Sequence, residues 1–358
     1  MSSLVDDTLV KQLQRLPDPE QSGNWPTDRL NCLREAGVFR WGLPTEFGGV
    51  PVEPADLLEG YLNLAQVCLT TAFILTQRDA ACHRIAASPN VELRQRLLPD
   101  HCVGRAMATV GISHLSTSRQ HWSKPSVVAN QTADGFELSG EAPWVTGAGH
   151  ADLLVTGATL ESGDQVLFAI PTERRGLNIG RPMALLALNA AETGTVMLDR
   201  VLVSTDEVIC GPFPNVMKIG PTGGTGSLTT TAVAIGAAGR TLDCLNQELS
   251  GRSDVAAVVQ PLACEHAALK LELLQAARET PDATALRTIA ESMRFQANSM
   301  AMRLAQAYIC CAKGAGFVTG HPAGQSLREA AFFQVWSCPP GVTSRTLDEL
   351  AREDRSAS

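Results

Sequence analysis

The sequence predicts an α+β fold with three consecutive parts. Apolar residues recur at helical spacing up to about Gly104, alternate with polar residues from Ala106, and return to helical spacing from Gly226. The predicted domains are an N-terminal helical domain (residues 1–104), a middle β domain (residues 105–215) and a C-terminal helical bundle (residues 216–358). A chain of 358 residues is long enough to bury more than one core.

The N-terminal part carries the apolar stripes of packed helices. Leu9, Leu13 and Leu16 share one face of the first predicted helix. The segment Trp41–Gly49 breaks the helical pattern with a proline and three glycines. A long apolar helical region then follows at Ala55–Ala87, so this part of the chain predicts only helices and loops.

The middle part predicts short strands separated by turn signals such as Asp134-Gly135 and Arg175-Gly176. Closely spaced strands without intervening helices favour an antiparallel barrel or sandwich over a doubly wound sheet. The predicted strands are Ala106–Ile112, Ser126–Asn130, Gly135–Gly140, Ala151–Thr156, Gln165–Pro171, Leu177–Gly180 and Thr195–Leu202.

The C-terminal part predicts a four-helix bundle. One apolar stripe runs through Ala256–Glu279, and Thr280 with Pro281 forms the expected N-cap and first turn of the next helix. A further helix is predicted at Ser326–Ser337. Antiparallel packing of such stripes is typical of a bundle.

Composition excludes several classes of function. The formal net charge of −8, with no basic run, argues against a nucleic-acid surface. No apolar run reaches membrane-spanning length and the first residues lack the layout of a signal peptide, so we expect a soluble cytoplasmic protein. The 10 cysteines contain no C-x-x-C pair and the 7 histidines show no ligand spacing, which predicts reduced thiols and no metal site.

The stretch around Trp144 carries the main functional hypothesis. Alternation through Phe136 and Leu138 predicts a half-buried strand, and Trp144 and Thr146 follow it just before a Gly-rich turn. An indole can pack on a planar ring, and a hydroxyl can hydrogen-bond a ring heteroatom. The pair could therefore hold a planar cofactor, although a core tryptophan and a turn threonine would give the same pattern.

This stretch also resembles the middle-domain signature of acyl-CoA dehydrogenases, roughly G-[FY]-x-L-x-G-x-K-x-W-[IV]-T-[NG]-x-x-x-A-D. The signature lysine is replaced by Ala142. The resemblance implies the helical–β–helical fold of that family and bound FAD, with Trp144, Val145 and Thr146 against the flavin. The matching residues, in order, are Gly135, Phe136, Leu138, Gly140, Trp144, Val145, Thr146, Gly147, Ala151 and Asp152.

The residues from Val110 to Ser113 resemble the family strand whose terminal hydroxyl faces the pyrimidine edge of the flavin. The resemblance implies that Val110, Ile112 and Ser113 contribute to FAD binding. The family continues with Glu-Pro and a Gly-rich loop, whereas this chain continues with His114–Arg119. An ordinary strand end remains the alternative for this segment.

Two further segments resemble FAD contacts of the family. The turn containing Gly314 and Gly316 is similar to a Gly-rich turn that approaches FAD from a neighbouring subunit, which implies a homodimer or homotetramer. Glycines there would let backbone N–H groups approach a phosphate, although a helix C-cap has the same pattern. Arg328 lies in an Arg-Glu-Ala segment similar to the family's Arg-Asp-Ala, and it could equally be a structural ion-pair partner.

The family's catalytic carboxylate has no counterpart in the sequence. An acyl-CoA dehydrogenase needs a carboxylate to remove the proton α to a thioester carbonyl. Aligned with the family, Ser337 occupies the usual position of that glutamate, and Thr229-Thr230 occupies its position in other members. Because neither hydroxyl is a free base near neutral pH, the sequence assigns no catalytic residue.

Three hypotheses follow from these observations. The first is an FAD-dependent acyl-CoA dehydrogenase-like oxidoreductase that acts on an acyl-CoA or a related small molecule. The second is a flavin monooxygenase on the same fold, which needs no α-proton base. The third is a non-catalytic relative that binds an acyl ligand or a partner. A loop histidine after the flavin strand, His114 or His121, could also handle a proton.

Overall fold

A computed structural model of the chain describes residues 4–116, 124–219, 227–279 and 283–351, without the side chains of residues 254 and 283–287. Apart from a four-residue helix at Ser113–Ser116, the α-helices precede and follow one group of strands, as the sequence predicts. The predicted N-cap at Thr280-Pro281 lies outside the described residues. The helices are α1 Asp7–Arg15, α2 Pro19–Ser22, α3 Thr27–Glu35, α4 Pro54–Val67, α5 Leu69–Ala86, α6 Val91–Val103, α7 Ser113–Ser116, α8 Leu228–Glu248, α9 Ser253–Arg278, α10 Ala283–Ala312, α11 Pro322–Phe332 and α12 Pro340–Ala351.

The chain forms two compact units. One contains the segment Pro54–Leu69 and the C-terminal helices, and the other contains the sheet and most of the remaining N-terminal residues. Helix α4 therefore groups with the C-terminal helices although it precedes the sheet in sequence. The division into domains at residues 1–104, 105–215 and 216–358 stays a prediction.

Eight strands of the described residues form one sheet, in the order β6-β7-β3-β2-β4-β5-β8, with β1 paired to β4. The sheet is mixed and not purely antiparallel, because β1 and β2 run parallel to β4. Chain segments that contain β2 and β3 connect β1 to β4, which gives the crossover that parallel pairing requires. The strands are β1 Ala108–Gly111, β2 Val127–Gln131, β3 Gly135–Thr146, β4 Leu153–Thr159, β5 Gln165–Pro171, β6 Leu177–Ile179, β7 Thr193–Ser204 and β8 Val208–Phe213.

The central strands are buried on both faces. On β5, Leu167 packs into the cluster that includes Leu93 of α6, whereas its neighbour Phe168 packs into a second cluster with Leu138 of β3. This arrangement follows from the alternation of side chains along a strand. It also explains the nearly continuous apolar sequence of β5, since both faces need apolar side chains.

A fully buried arginine joins several N-terminal segments of the sheet-containing unit. Arg78 of α5 donates hydrogen bonds to the Phe39 carbonyl and to Asp79, at 2.6 Å each, and to the His101 carbonyl. Its guanidinium also lies 4.5 Å from the centre of the Phe39 ring. The buried cation is thereby paired with a carboxylate and hydrogen-bonded, as a buried charge requires.

The helical unit depends on close approach of two helices. Gly236 of α8 lies so near α4 that a Cβ atom at this position would be 2.2 Å from the Leu62 carbonyl oxygen. The described C-terminal residues contain five helices, one more than predicted. The last predicted helix begins earlier and ends at Phe332, so that Ser337 follows it in a turn. None of the described helices has the length and low charge that crossing a membrane would need.

Gly236→Ala tests this helix contact. We expect the added methyl group to lower the free energy of unfolding by about 1–3 kcal/mol, because the atom it meets belongs to backbone and cannot move aside easily. The destabilisation caused by this clash should exceed the roughly 1 kcal/mol by which alanine stabilises a helix relative to glycine. Chemical denaturation measures the change.

Gly341→Ala on α12 is the matched control. There the nearest atom to the added Cβ is the tip of the Glu291 side chain at 3.3 Å, which can rotate away. Equal stability changes in the two variants would contradict the proposed contact.

Candidate functional site

Trp144 lies in a bulge near the end of β3. Ala142 pairs with Val196 and Val145 pairs with Gly194, so that Pro143 and Trp144 together oppose one residue of β7. The bulge places Trp144 in the left-handed region, with φ 60°, and leaves it 50% exposed. A bulky residue at positive φ is strained by about 1–2 kcal/mol, and such strain is concentrated at functional sites.

The end of β1 lies beside this bulge. Ser113 begins the short helix α7, and its hydroxyl donates a 2.9 Å hydrogen bond to the carbonyl of Pro143, the residue before Trp144. Ser113 and Ile112 are both half-buried. Val110 is different, because its side chain is buried in the core between the sheet and α5–α6. The structure thus brings Ser113 and Trp144 together, with Val110 in a packing role.

The two residues after Trp144 point into the protein. Val145 is fully buried in the sheet core, and Thr146 is 3% exposed. The Thr146 hydroxyl lies 2.9 Å from the Thr193 hydroxyl, and the Thr146 carbonyl accepts a 2.7 Å hydrogen bond from Thr109. Of these predicted flavin contacts, Trp144 has the accessible side chain. The FAD-binding roles of Val145 and Thr146 remain predictions.

A second aromatic group supports the turn after Thr146, and sequence reasoning did not identify it. Trp25 stacks on His150 with ring centres 4.2 Å apart, and a Cβ atom on Gly147 would be 2.4 Å from the Trp25 ring. His150 Nε2 also lies 3.0 Å from a carboxylate oxygen of Glu192. These residues are far apart in sequence, so no local pattern could have revealed the cluster.

His114 does not lie in a loop as expected. It lies in α7, is 8% exposed, and its Nε2 is 2.9 Å from the Gly157 carbonyl oxygen. The His114 side chain is buried next to Leu115, which packs in the sheet core. This position does not favour proton transfer with a substrate. His121 lies outside the described residues.

The Gly-rich turn of the helical unit combines two kinds of glycine. Gly316 is buried, and a Cβ atom there would be 2.8 Å from Ile309 Cδ1, so this glycine is needed for packing. Gly314 is exposed with open space around it, and Phe317 is 86% exposed. Gly314 is therefore the glycine whose backbone a ligand could approach.

Arg328 and Glu329 lie side by side on α11 in different environments. Arg328 is exposed, and a Cβ atom on Gly324 would lie 3.5 Å from its Nη1, so it is on the same side of α11 as the Gly-rich turn. Glu329 is buried, accepts a 2.7 Å hydrogen bond from Gln325, and lies 3.8 Å from Arg240 Nη1. This fixed carboxylate has a structural ion-pair role.

The two candidate base positions both lie at helix boundaries. Thr229 is in the first turn of α8, next to Thr230, whose hydroxyl donates to the Ser227 carbonyl at 2.8 Å. Ser337 lies between α11 and α12 with φ 48°, another strained backbone position. Among the residues that the structure describes, no group of three or more His, Cys, Asp or Glu side chains could hold a metal ion.

Buried polar groups hold the segment before Ser337. Arg294 of α10 is fully buried and donates to the carbonyls of Phe333 at 3.3 Å and Trp336 at 2.7 Å. Asn298, one turn later on α10, also donates to the Phe333 carbonyl at 2.8 Å. Carbonyls at the end of α11 thereby gain the partners that the helix cannot supply.

Comparison with known proteins identifies similar chains. Residues 2–105 match the family description "Acyl-CoA dehydrogenase, N-terminal domain". The protein named probable acyl-CoA dehydrogenase YngJ of Bacillus subtilis is 22% identical over 337 residues, which cover 88% of this chain and 87% of that protein.

Solved structures with the same fold include two kinds of enzyme. A glutaryl-CoA dehydrogenase from Mycobacterium smegmatis in complex with FADH2 aligns with a TM-score of 0.81 at 15% identity, over 97% of this chain and 95% of that one. A nitrososynthase from Micromonospora carbonacea aligns with a TM-score of 0.76 at 20% identity, over 97% and 94% of the two chains. These likenesses show a common fold.

Proposed function

The chain belongs to the acyl-CoA dehydrogenase family, and on that premise we propose that it is an FAD-binding oxidoreductase that acts on an acyl-CoA or a related small molecule. The observation that carries this proposal is the exposed, strained Trp144 in the bulge of β3. A large indole held outside a well-packed sheet at an energetic cost needs a compensating contact, and a flat aromatic cofactor supplies one.

The residues around the bulge suit a flavin ring. The Trp144 indole offers a flat apolar surface. The hydroxyl of half-buried Ser113 donates a hydrogen bond to the carbonyl of Pro143, the residue before Trp144. A hydroxyl can both donate and accept, so Ser113 can also hydrogen-bond a polar edge of the ring. On the resemblance to the family, Gly314 and Arg328 of a neighbouring subunit are the candidates for the phosphates, by an exposed backbone and an exposed guanidinium. When bound, FAD would supply the two-electron chemistry that no side chain provides.

We propose that this site functions in a homodimer or homotetramer. The family resemblance of the Gly-rich turn, and the exposure of Phe317 at 86% and Val318 at 64%, support a contact with a second copy. Sedimentation of a monodisperse monomer at micromolar concentration would contradict this part of the proposal.

The residues at the base positions suggest unusual chemistry for the family. Ser337 and Thr229 carry hydroxyls that cannot accept a proton from a thioester near neutral pH. Glu329 cannot replace them easily, because Gln325 and Arg240 hold its carboxylate in the helical unit. Positioned general-base catalysis is typically worth about 10²–10⁴-fold in rate, so its loss would leave little dehydrogenase activity on ordinary acyl-CoA substrates.

A flavin monooxygenase is the second candidate. Two observations favour it: the absence of a carboxylate at Ser337 and Thr229, and a fold shared with a nitrososynthase. Oxygen-dependent oxidation of a substrate by the reduced flavoprotein would distinguish it from a dehydrogenase. A protein that binds neither FAD nor another flavin would instead fit a non-catalytic relative that binds an acyl ligand or a partner.

Trp144→Ala tests the cofactor contact. We expect a folded protein whose affinity for FAD falls by about tenfold or more, because the aromatic stacking contact is lost. Because the Trp144 side chain is 50% exposed, its truncation should not destabilise the fold by itself. Titration of FAD into the apoprotein, followed by flavin fluorescence, measures the change.

Leu202→Ala is the control for this experiment. Leu202 is on β7 of the same sheet and is 60% exposed, but it lies outside the predicted flavin contacts. If Trp144→Ala binds FAD as tightly as the wild type and Leu202→Ala do, Trp144 does not contact the flavin ring.

A carboxylate added at the usual base position tests the chemistry. We expect the FAD-loaded wild type to show slow or no bleaching of the flavin band on anaerobic mixing with acyl-CoA of several chain lengths. Ser337→Glu should bleach at least about tenfold faster, since it supplies the missing base. Ser337→Gln, which has the same size but no basic group, is the matched control.

Rapid bleaching by the wild type, with enoyl product, would contradict the proposed loss of the base. Equal rates for Ser337→Glu and Ser337→Gln would show that residue 337 is not positioned to reach the substrate.

A further inference from the structure

Burial favours the protonated thiol at five cysteines. Burial raises the pKa of the Cys82 thiol to about 11, and it raises the pKa of four others. Since the ionised sulfur is the nucleophile, thiols of this kind are inert. The four are Cys102, Cys210, Cys244 and Cys311.

Cys338 lies in a different environment. It is partly exposed, and it is two residues before the first residue of the 12-residue helix α12. Its sulfur accepts a hydrogen bond from the Thr343 hydroxyl at 3.6 Å and another from Asn298 Nδ2 at 3.9 Å. Two side-chain donors therefore contact this sulfur, and the Thr343 hydroxyl also lies 3.5 Å from the Pro339 carbonyl oxygen.

A buried guanidinium adds a second, independent observation. Arg294 is fully buried, and among the described residues its Nε and Nη1 have no hydrogen-bond partner. Burial lowers the pKa of Arg294 to about 10. Asn298 Oδ1 also has no partner among the described residues. The Arg294 guanidinium also lies 5.7 Å and 5.6 Å from the centres of the Phe333 and Trp336 rings. Buried polar atoms without a hydrogen-bond partner are rare, so these N–H groups and the Asn298 oxygen have capacity for an additional polar group.

From these contacts we propose that Cys338 is an oxidant-reactive thiol that hydrogen peroxide converts to a sulfenic acid. A sulfur lone pair forms a bond to one peroxide oxygen while the O–O bond breaks. The sulfur is oxidised by two electrons, and the oxygen bonded to it keeps its own hydrogen. The departing hydroxide takes up the thiol proton, so that one thiol and one peroxide give one sulfenic acid and one water. Arg294 Nε and Nη1, which have no hydrogen-bond partner among the described residues, are the proposed donors to the added oxygen.

The modification would act on the turn that carries Ser337. Cys338 is the next residue, and Asn298 contacts both its sulfur and the Phe333 carbonyl that helps to hold this turn. An oxygen on the sulfur competes for the Asn298 amide and adds bulk beside a backbone already at φ 48°. Oxidation therefore changes the local structure around Ser337.

Peroxide labelling of the purified full-length protein tests the proposal, and it requires neither FAD nor a substrate. The fully reduced protein is treated with hydrogen peroxide in the presence of dimedone, and labelled peptides are quantified by mass spectrometry. We expect Cys338 to be labelled about tenfold faster than Cys264, an exposed cysteine on α9 whose sulfur accepts a hydrogen bond from Gln260. Equal or slower labelling of Cys338 would overturn the proposal.

Two threonine variants provide a matched test of the environment. Thr343→Val removes a hydroxyl that donates to the Cys338 sulfur, whereas Thr346→Val removes one that donates to the Val342 carbonyl at 2.9 Å. We expect Cys338 labelling to slow by about threefold or more in Thr343→Val and to be unchanged in Thr346→Val. The same rate in both variants would contradict a role for the surrounding donors.

Arg294→Met removes the guanidinium and should slow Cys338 labelling further. Circular dichroism first establishes that this variant is folded, because Arg294 also holds two carbonyls. A folded Arg294→Met protein with wild-type labelling would contradict the role of the arginine. If the variant does not fold, the comparison of the two threonine variants decides.

Discussion

In the bulge between β3 and β7, two residues of β3 oppose one residue of β7. This geometry determines how the sheet presents its candidate site. Pro143 and Trp144 share the space opposite a single residue, and Pro143 has no N–H group to pair with β7. The chain is therefore forced out of register before Val145 restores it. The indole leaves the core, while Val145 and Thr146 continue into it. The Ser113 contact, the Thr146–Thr193 pair and the turn under Trp25 all follow from this local geometry.

The fold could be predicted from periodicity where each strand has a clear pattern. Alternation identified β1 to β7, and helical stripes identified the long C-terminal helices. The parallel pairing of β1 with β4 could not be predicted, because periodicity carries no information about partners. Strand β8 was missed, since Gly211 and Pro212 interrupt its six residues and resemble a loop. Helix α11 ends before Ser337, where the aromatic run through Trp336 resembles a continuing helix.

The candidate site could be predicted less completely. The signature around Trp144 and the hydroxyl at Ser113 indicated two residues that the structure brings together. The signature could not show that Val110 and Val145 have buried side chains, because a sequence motif does not separate packing from contact. Trp25, Glu192 and Arg294 could not be found by spacing, since each acts on residues distant in sequence. Gly316 likewise proved to be a packing residue, whereas Gly314 keeps an open approach.

The proposed chemistry thus differs from the chemistry that the family resemblance implies. The fold, the bulge and the family membership all favour a flavoprotein, while Ser337 and Thr229 do not favour the usual proton abstraction. All the proposed oxidoreductase chemistry depends on the binding of FAD against Trp144. The most direct measurement is an absorbance spectrum of the purified protein, before and after FAD is added and the excess removed. We expect a retained flavin band near one per chain after loading, and a colourless protein that retains no FAD would contradict the account.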